Sequence, residues 1–177
     1  MTRHPNNDDA RPNNDDDHHW RAKPRPASGG KMPFWKIYHP VGAFTAEDKR
    51  ALSQRITELY RGLPKFYVIV VFHEVTPESF YMGGEEAHNF VRISVDHIAR
   101  SFPPDAKKLK AKWMGWAEKA LAPYIKDRGR DWEIHIDETP FDLWQIQGMP
   151  PPPPNSEDEK RWLEENKPVP YPIQEPA

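Results

Sequence analysis

The chain has 177 residues, a formal net charge of -2 with both signs interspersed, and no cysteine. That length suits one domain with a real core plus some flank. The charge pattern excludes a nucleic-acid footprint or a polybasic membrane patch, and the missing cysteine excludes disulfides, thiol chemistry and cysteine-based zinc sites.

The lead, residues 1–32, contains a near-duplicate, "RHPNNDD" then "RPNNDDD", followed by "RAKPRPASGG". Trp20 is its one bulky ring, so the segment cannot bury enough surface to offset its ordering entropy and is expected to be disordered. His18 and His19 beside three aspartates are read as a solvated polar tail rather than a metal site. The start lacks the apolar centre of a secretory signal, and its five aspartates do not suit a mitochondrial transit peptide. No apolar run approaches the length that spans a bilayer. A cytoplasmic protein with no membrane or nucleic-acid partner and no cofactor is the expectation.

From Pro33 the pattern becomes regular. "PFWKIYH" alternates as a strand, with Phe34, Lys36 and Tyr38 on one side and Trp35 and Ile37 on the other. Pro40 and Gly42 end it. Thr45 with Asp48 three residues on resembles a capping box. The helix that follows carries Leu52, Ile56, Leu59 and Tyr60 on one stripe and ends near Gly62. Residues 66–72, "FYVIVVF", suit a strand covered on both faces.

A second unit repeats the order. "NFVRISVDHI" is a strand with Phe90, Arg92 and Ser94 on one face and Val91, Ile93 and Val95 on the other. Gly83 and Gly84, just before it, form a turn rather than a phosphate cradle. Pro103 and Pro104 open a helix carrying Leu109, Trp113, Trp116, Ala117, Ala120 and Leu121, which Pro123 ends or kinks. The Trp113 and Trp116 pair reads as core. "DWEIHID" is the last strand, with Trp132, Ile134 and Ile136 inward and Glu133 and His135 opposite. The expected fold is α+β: two consecutive βαβ units over residues 33–148, forming a four-stranded sheet with both helices on one face. Its other face needs cover, so Phe34, Trp35, Tyr81 and Trp144 are expected to meet other copies of the chain. Residues 149–177 form a proline-rich segment with a short helix capped by Ser156, docked through Trp162 and Leu163.

Pro33 directly after Met32, heading a strand of a double βαβ core, resembles the tautomerase superfamily. "ITELYRGLPKFYVIVVF", "YMGGEEAHNFVRI", "WEIHIDETP" and "SEDEKRWLEENK" are more narrowly similar to the cis-3-chloroacrylic acid dehalogenase group and its fungal relatives, over about residues 33–168. The resemblance implies a homotrimer and a catalytic amino-terminal proline, exposed by removal of the methionine before it. A free prolyl nitrogen is a secondary amine, whereas an internal one is an amide with no basicity to use. In an apolar pocket near cations the amine falls to its neutral form and can move a proton next to a carbonyl.

Carried across residue by residue, the resemblance makes Pro33 the catalytic proline. Tyr60 falls where the dehalogenase has a substrate-holding histidine, although it also continues the apolar helix stripe. Arg100 matches one carboxylate-binding arginine and His97 replaces the other. Arg92 is a further candidate, on a strand position expected to turn it towards Pro33, and His135 stands where the group has a tyrosine. The group's water-activating glutamate falls at Ile146, with Asp142 and Glu138 nearby but out of register. The implied function is a tautomerase-like enzyme acting on a small enol or keto carboxylate, with dehalogenase or hydratase chemistry as an alternative. If Pro33 stays internal, the chain is instead a non-catalytic pseudoenzyme or an interaction module, its "PPPPP" run serving as a ligand or, by preference, as a stiff spacer.

Overall fold

The computed structural model describes residues 32–98 and 102–173. The expectation of a disordered lead, with its His18 and His19, and the role given to Arg100 lie outside the described residues.

Strand β1 (Met32–Pro40) pairs in parallel with β2 (Ile69–Val75) and antiparallel with β5 (Phe90–Ile98); β6 (Asp131–Thr139) runs parallel to β5 on its far side. The sheet order is therefore β2-β1-β5-β6. Helix α1 (Ala46–Leu59) connects β1 to β2, and α2 (Lys107–Leu121) connects β5 to β6. This is the double βαβ, α+β arrangement, parallel within each unit and antiparallel where the units meet. A small hairpin of β3 (Tyr81–Met82) and β4 (Glu85–Glu86) stands between the units. Its two linking residues, Gly83 and Gly84, have φ of 64° and 94°, the left-handed backbone that a two-residue hairpin turn demands.

Alternation decides which side chains the helices cover. Trp35, Ile37, Val91, Ile93 and Val95 are fully buried beneath α1 and α2, where Leu52, Ile56, Ala117 and Leu121 meet them. Each aliphatic side chain so buried contributes about 1.5–3 kcal/mol. On the outer face stand Phe34, Lys36, Tyr38, Arg92 and Asp96, all half-buried. Lys36 pairs there with Asp96 at 3.0 Å, and Tyr38 stacks on His73.

Several boundaries differ from the expectation. Helix α1 stops at Leu59, because the chain tightens to three-residue hydrogen bonds from Tyr60 to Thr57 (3.1 Å) and Leu63 to Tyr60 (3.2 Å). Helix α2 begins at Lys107 rather than at the prolines. Pro104 disfavours helical geometry at Pro103, and a turn closed by the Ala106 N–H on the Pro103 carbonyl precedes the helix. Pro123 sits in a 3-10 turn, Ala122–Tyr124, that succeeds α2. Residues Lys65–Tyr67 form another such turn, so β2 starts at Ile69. Within one chain β2 is an edge strand and Ile69 is 43% exposed, not covered on both faces. Trp35 and Trp144, expected at a subunit contact, lie in the core instead, whereas Tyr81 is exposed.

After β6 the chain packs against the domain. In α3 (Glu157–Glu165) the Ser156 hydroxyl accepts the Glu159 N–H. Trp162 is fully buried against Phe66, Tyr67 and Tyr171, and its indole N–H donates to the Val169 carbonyl at 2.7 Å. Pro151 and Pro152 are buried, so the proline run is not an open ligand for an aromatic groove. None of the described helices is long and apolar enough to cross a membrane.

Candidate active site

Pro33 is buried at the start of β1, on the helix-covered face it shares with Trp35, Ile37 and His39. Its antiparallel partner is His97 at the end of β5, and the parallel partner of His97 is Glu138 on β6. The three residues form one row across the sheet, with roughly 10 Å between the outer two backbones at ordinary strand spacing. Opposite chain directions create this row, because the first residues of β1 lie beside the last residues of β5 and β6.

Tyr60 reaches the row from the C-cap of α1. Its hydroxyl accepts the Trp35 indole N–H at 3.1 Å and lies 3.1 Å from His97 Nε2. Burial pushes the Tyr60 hydroxyl well above its ordinary value, so it stays a neutral donor. His97 is itself buried, edge-on to Trp113 at 4.9 Å and stacked on Phe102 at 5.8 Å between ring centres. The ring of Tyr60 belongs to the core, as the apolar helix stripe implies, and its oxygen faces His97.

A cavity of about 250 Å³ adjoins the row, lined by Phe102, Lys110, Met114, Ile136 and Glu138. The Glu138 carboxylate accepts the Phe102 backbone N–H at 2.5 Å. Lys110 Nζ stands over the Phe102 ring, 5.7 Å from its centre. The site thus combines a buried aromatic and imidazole network with one carboxylate and one ammonium at its edge.

The expected residues divide into two groups. Pro33, Tyr60 and His97 come together. Arg92 does not approach Pro33 within the chain: it pairs with Tyr38 in register, about 17 Å further along the strand, on the outer face. There it forms an ion pair with Glu133 and lies 3.0 Å from His135 Nδ1, while His135 Nε2 lies 3.1 Å from Asp137. His135 therefore belongs to this outer charged cluster and does not join Pro33. Ile146 fills the glutamate slot with an apolar side chain and pairs its backbone with Met149, and Asp142 is exposed. Glu138, which does not align with the glutamate slot, is the strand partner of His97. Strand pairing alone reveals this; the sequence spacing does not. Trp35 and Lys110 were also missed, because an indole on a strand face and a lysine on an amphipathic helix carry no local signal of a site.

The family model described as "Putative oxalocrotonate tautomerase enzyme" matches residues 32–167. Among solved structures the chain is similar to RhCC from Rhodococcus jostii RHA1, with 52% identity and a TM-score of 0.75, covering 78% of this chain and 99% of that one. It is also similar to a "probable enzyme" from the thermophilic fungus Aspergillus fumigatus, at 39% identity and a TM-score of 0.74, over 80% of this chain and 99% of the other. A member of the cis-3-chloroacrylic acid dehalogenase family shares the fold at 19% identity and a TM-score of 0.60, over 75% and 97% of the two chains. No curated protein matches the chain. The match over residues 32–167, on a double βαβ core headed by Pro33, places this chain in that tautomerase family.

Proposed function

We propose that the chain is a tautomerase for a small carboxylate with an enol or keto neighbour, and that Pro33 is its general base and acid once Met32 and the residues before it are absent. The observation that carries this reading is the position of Pro33. It is the second residue of the first strand of the fold, is buried, and faces the His97–Tyr60–Trp35 network. The family match beginning at Met32 supports the same boundary.

In this reading the neutral Pro33 amine takes the proton of the enol oxygen as the carbonyl forms. The resulting ammonium returns a proton to the adjacent carbon, so that no atom is gained or lost. Burial favours the neutral amine, because an ammonium is costly to desolvate. Tyr60, held protonated, fixes the ring of His97 beside Pro33. Arg100 is assigned to the substrate carboxylate on the resemblance alone, and a guanidinium suits that role. Ile146 supplies no base for water, which sets hydratase or dehalogenase chemistry second. With Pro33 internal, its nitrogen is an amide and the chain is non-catalytic.

Ketonisation of a small enol acid, followed by loss of enol absorbance, tests this. A chain beginning at Pro33 is expected to exceed both its Pro33→Ala variant and the full 177-residue chain by about 100-fold or more. Equal rates for the Pro33 chain and Pro33→Ala would sink the reading. Intact mass of the protein from its native source shows which form exists there.

A further inference from the structure

We infer that Glu138 is a positioning residue: its carboxylate, by holding the Phe102 backbone, clamps the Phe102 ring over His97 and keeps the His97–Tyr60 bond closed to water. This rests on the reading that His97 serves the Pro33 site. Three observations carry it. Glu138 is the register partner of His97 on the neighbouring strand, so it stands beside the ring it would control. Its carboxylate accepts the Phe102 N–H at 2.5 Å, a charge-assisted bond between the end of β6 and the segment leaving β5. Phe102 is nine-tenths buried and stacks on His97 with 27° between the planes, while Trp113 meets the same imidazole edge-on.

The imidazole is thus in contact with a tryptophan anchored in α2 and with a phenylalanine. Phe102 belongs to no helix or strand and follows shortly after the end of β5. A backbone bond from a neighbouring strand is what such a ring needs to be fixed. Lys110, over the outer face of Phe102, adds a cation–π contact to the same ring, but it is exposed and contributes less. Losing the Glu138 acceptor removes this tie on the Phe102 backbone, admits water to His97 and loosens the hydrogen bond to Tyr60. An error of about 1 Å in such a group is worth on the order of 100-fold in rate.

Two variants separate positioning from direct participation. Glu138→Gln keeps an acceptor oxygen at roughly half the strength of the charged bond, and Glu138→Ala removes it. On the full chain, the ring 15N shifts of His97 should match wild type in Glu138→Gln. In Glu138→Ala they should move to those of a solvent-averaged imidazole. Phe102→Leu should copy the alanine variant. In the chain beginning at Pro33, which retains all of the described core, kcat should fall about 100-fold for Glu138→Ala. It should stay within about fivefold for Glu138→Gln, with KM little changed in both. Unmoved His97 signals in Glu138→Ala overturn the inference. So does a glutamine variant as slow as the alanine one, which would place the charge itself among the reacting groups. If the Pro33 chain shows no turnover at all, the proposed function fails while the 15N shifts still decide the role of Glu138.

Discussion

His39 ends β1 at the opposite end from Pro33, fully buried and edge-on to Phe44 (4.9 Å) and Phe72 (6.0 Å). Its Nδ1 lies 2.9 Å from the Pro40 carbonyl, so that nitrogen carries the proton and donates it. Burial lowers its pKa below the usual 6.5; the bond to Pro40 and Glu74 oppose this, while Lys49 and Arg130 add to it. The unfolded chain therefore binds a proton near pH 6.5 that the folded one refuses. The stability His39 contributes at neutral pH is lost as pH falls below about 6.5 towards the folded value. Urea midpoints at pH 7 and pH 5 should fall further for wild type than for His39→Phe; parallel losses would exclude His39 as a source of acid sensitivity. The alternation of β1 was legible and put Trp35 and Ile37 on one face, although Trp35 was expected at a subunit contact and lies in the core. That it also buries an imidazole at its end follows from Phe44 and Phe72 closing over it.

At the scale of elements, Asp48 connects a helix start to the second βαβ unit. It completes the capping box, receiving the Thr45 N–H at 3.0 Å while Thr45 Oγ1 accepts the Asp48 N–H at 3.1 Å. The same carboxylate takes a bidentate pair from Arg128, at 3.0 and 2.7 Å. Arg128, followed by the Thr45 N–H, holds this carboxyl well below the usual carboxylate range. The folded state therefore keeps Asp48 ionised where the unfolded chain would protonate it, and its contribution is lost as pH falls below about 4. Asp48→Asn should cost about 1–2 kcal/mol at pH 7, read as a lower midpoint of denaturation, and less at pH 3. An equal loss at both values would show that charge plays no part. The Thr45–Asp48 spacing disclosed the cap, but Arg128 lies 80 residues away and became its partner only when α1 and α2 packed side by side.

Across the whole molecule, the sheet is covered on one face and half open on the other. Phe34 and Ile69 are register partners on that outer face, beside the Lys36–Asp96 pair and the cluster of Arg92, Glu133, His135 and Asp137. An apolar pair next to ion pairs, on the sheet face opposite α1 and α2, supports the proposal that copies of the chain cover one another there. Sedimentation equilibrium should give a multiple of the 20.7 kDa chain mass, three copies on the resemblance, and Ile69→Glu should shift the population towards the single chain. A single-chain mass for the unmodified protein at micromolar concentration would reject it.

Local patterns determined what local patterns can carry. Alternation gave the strands, the 3.6-residue stripe gave α1 and α2, and turn residues marked most ends. Four matching segments and a Met-Pro at the head of β1 carried the family resemblance. Pairing decided the rest. Tyr60 is core and still meets His97, because burying a phenol ring leaves its oxygen at the ring's far end. Arg92 and His135 were drawn away because each faces the outer side of its strand, where Glu133 and Asp137 stabilise them. Glu138 entered the Pro33 row because β6 runs parallel to β5, and a register between strands is written in no stretch of either one.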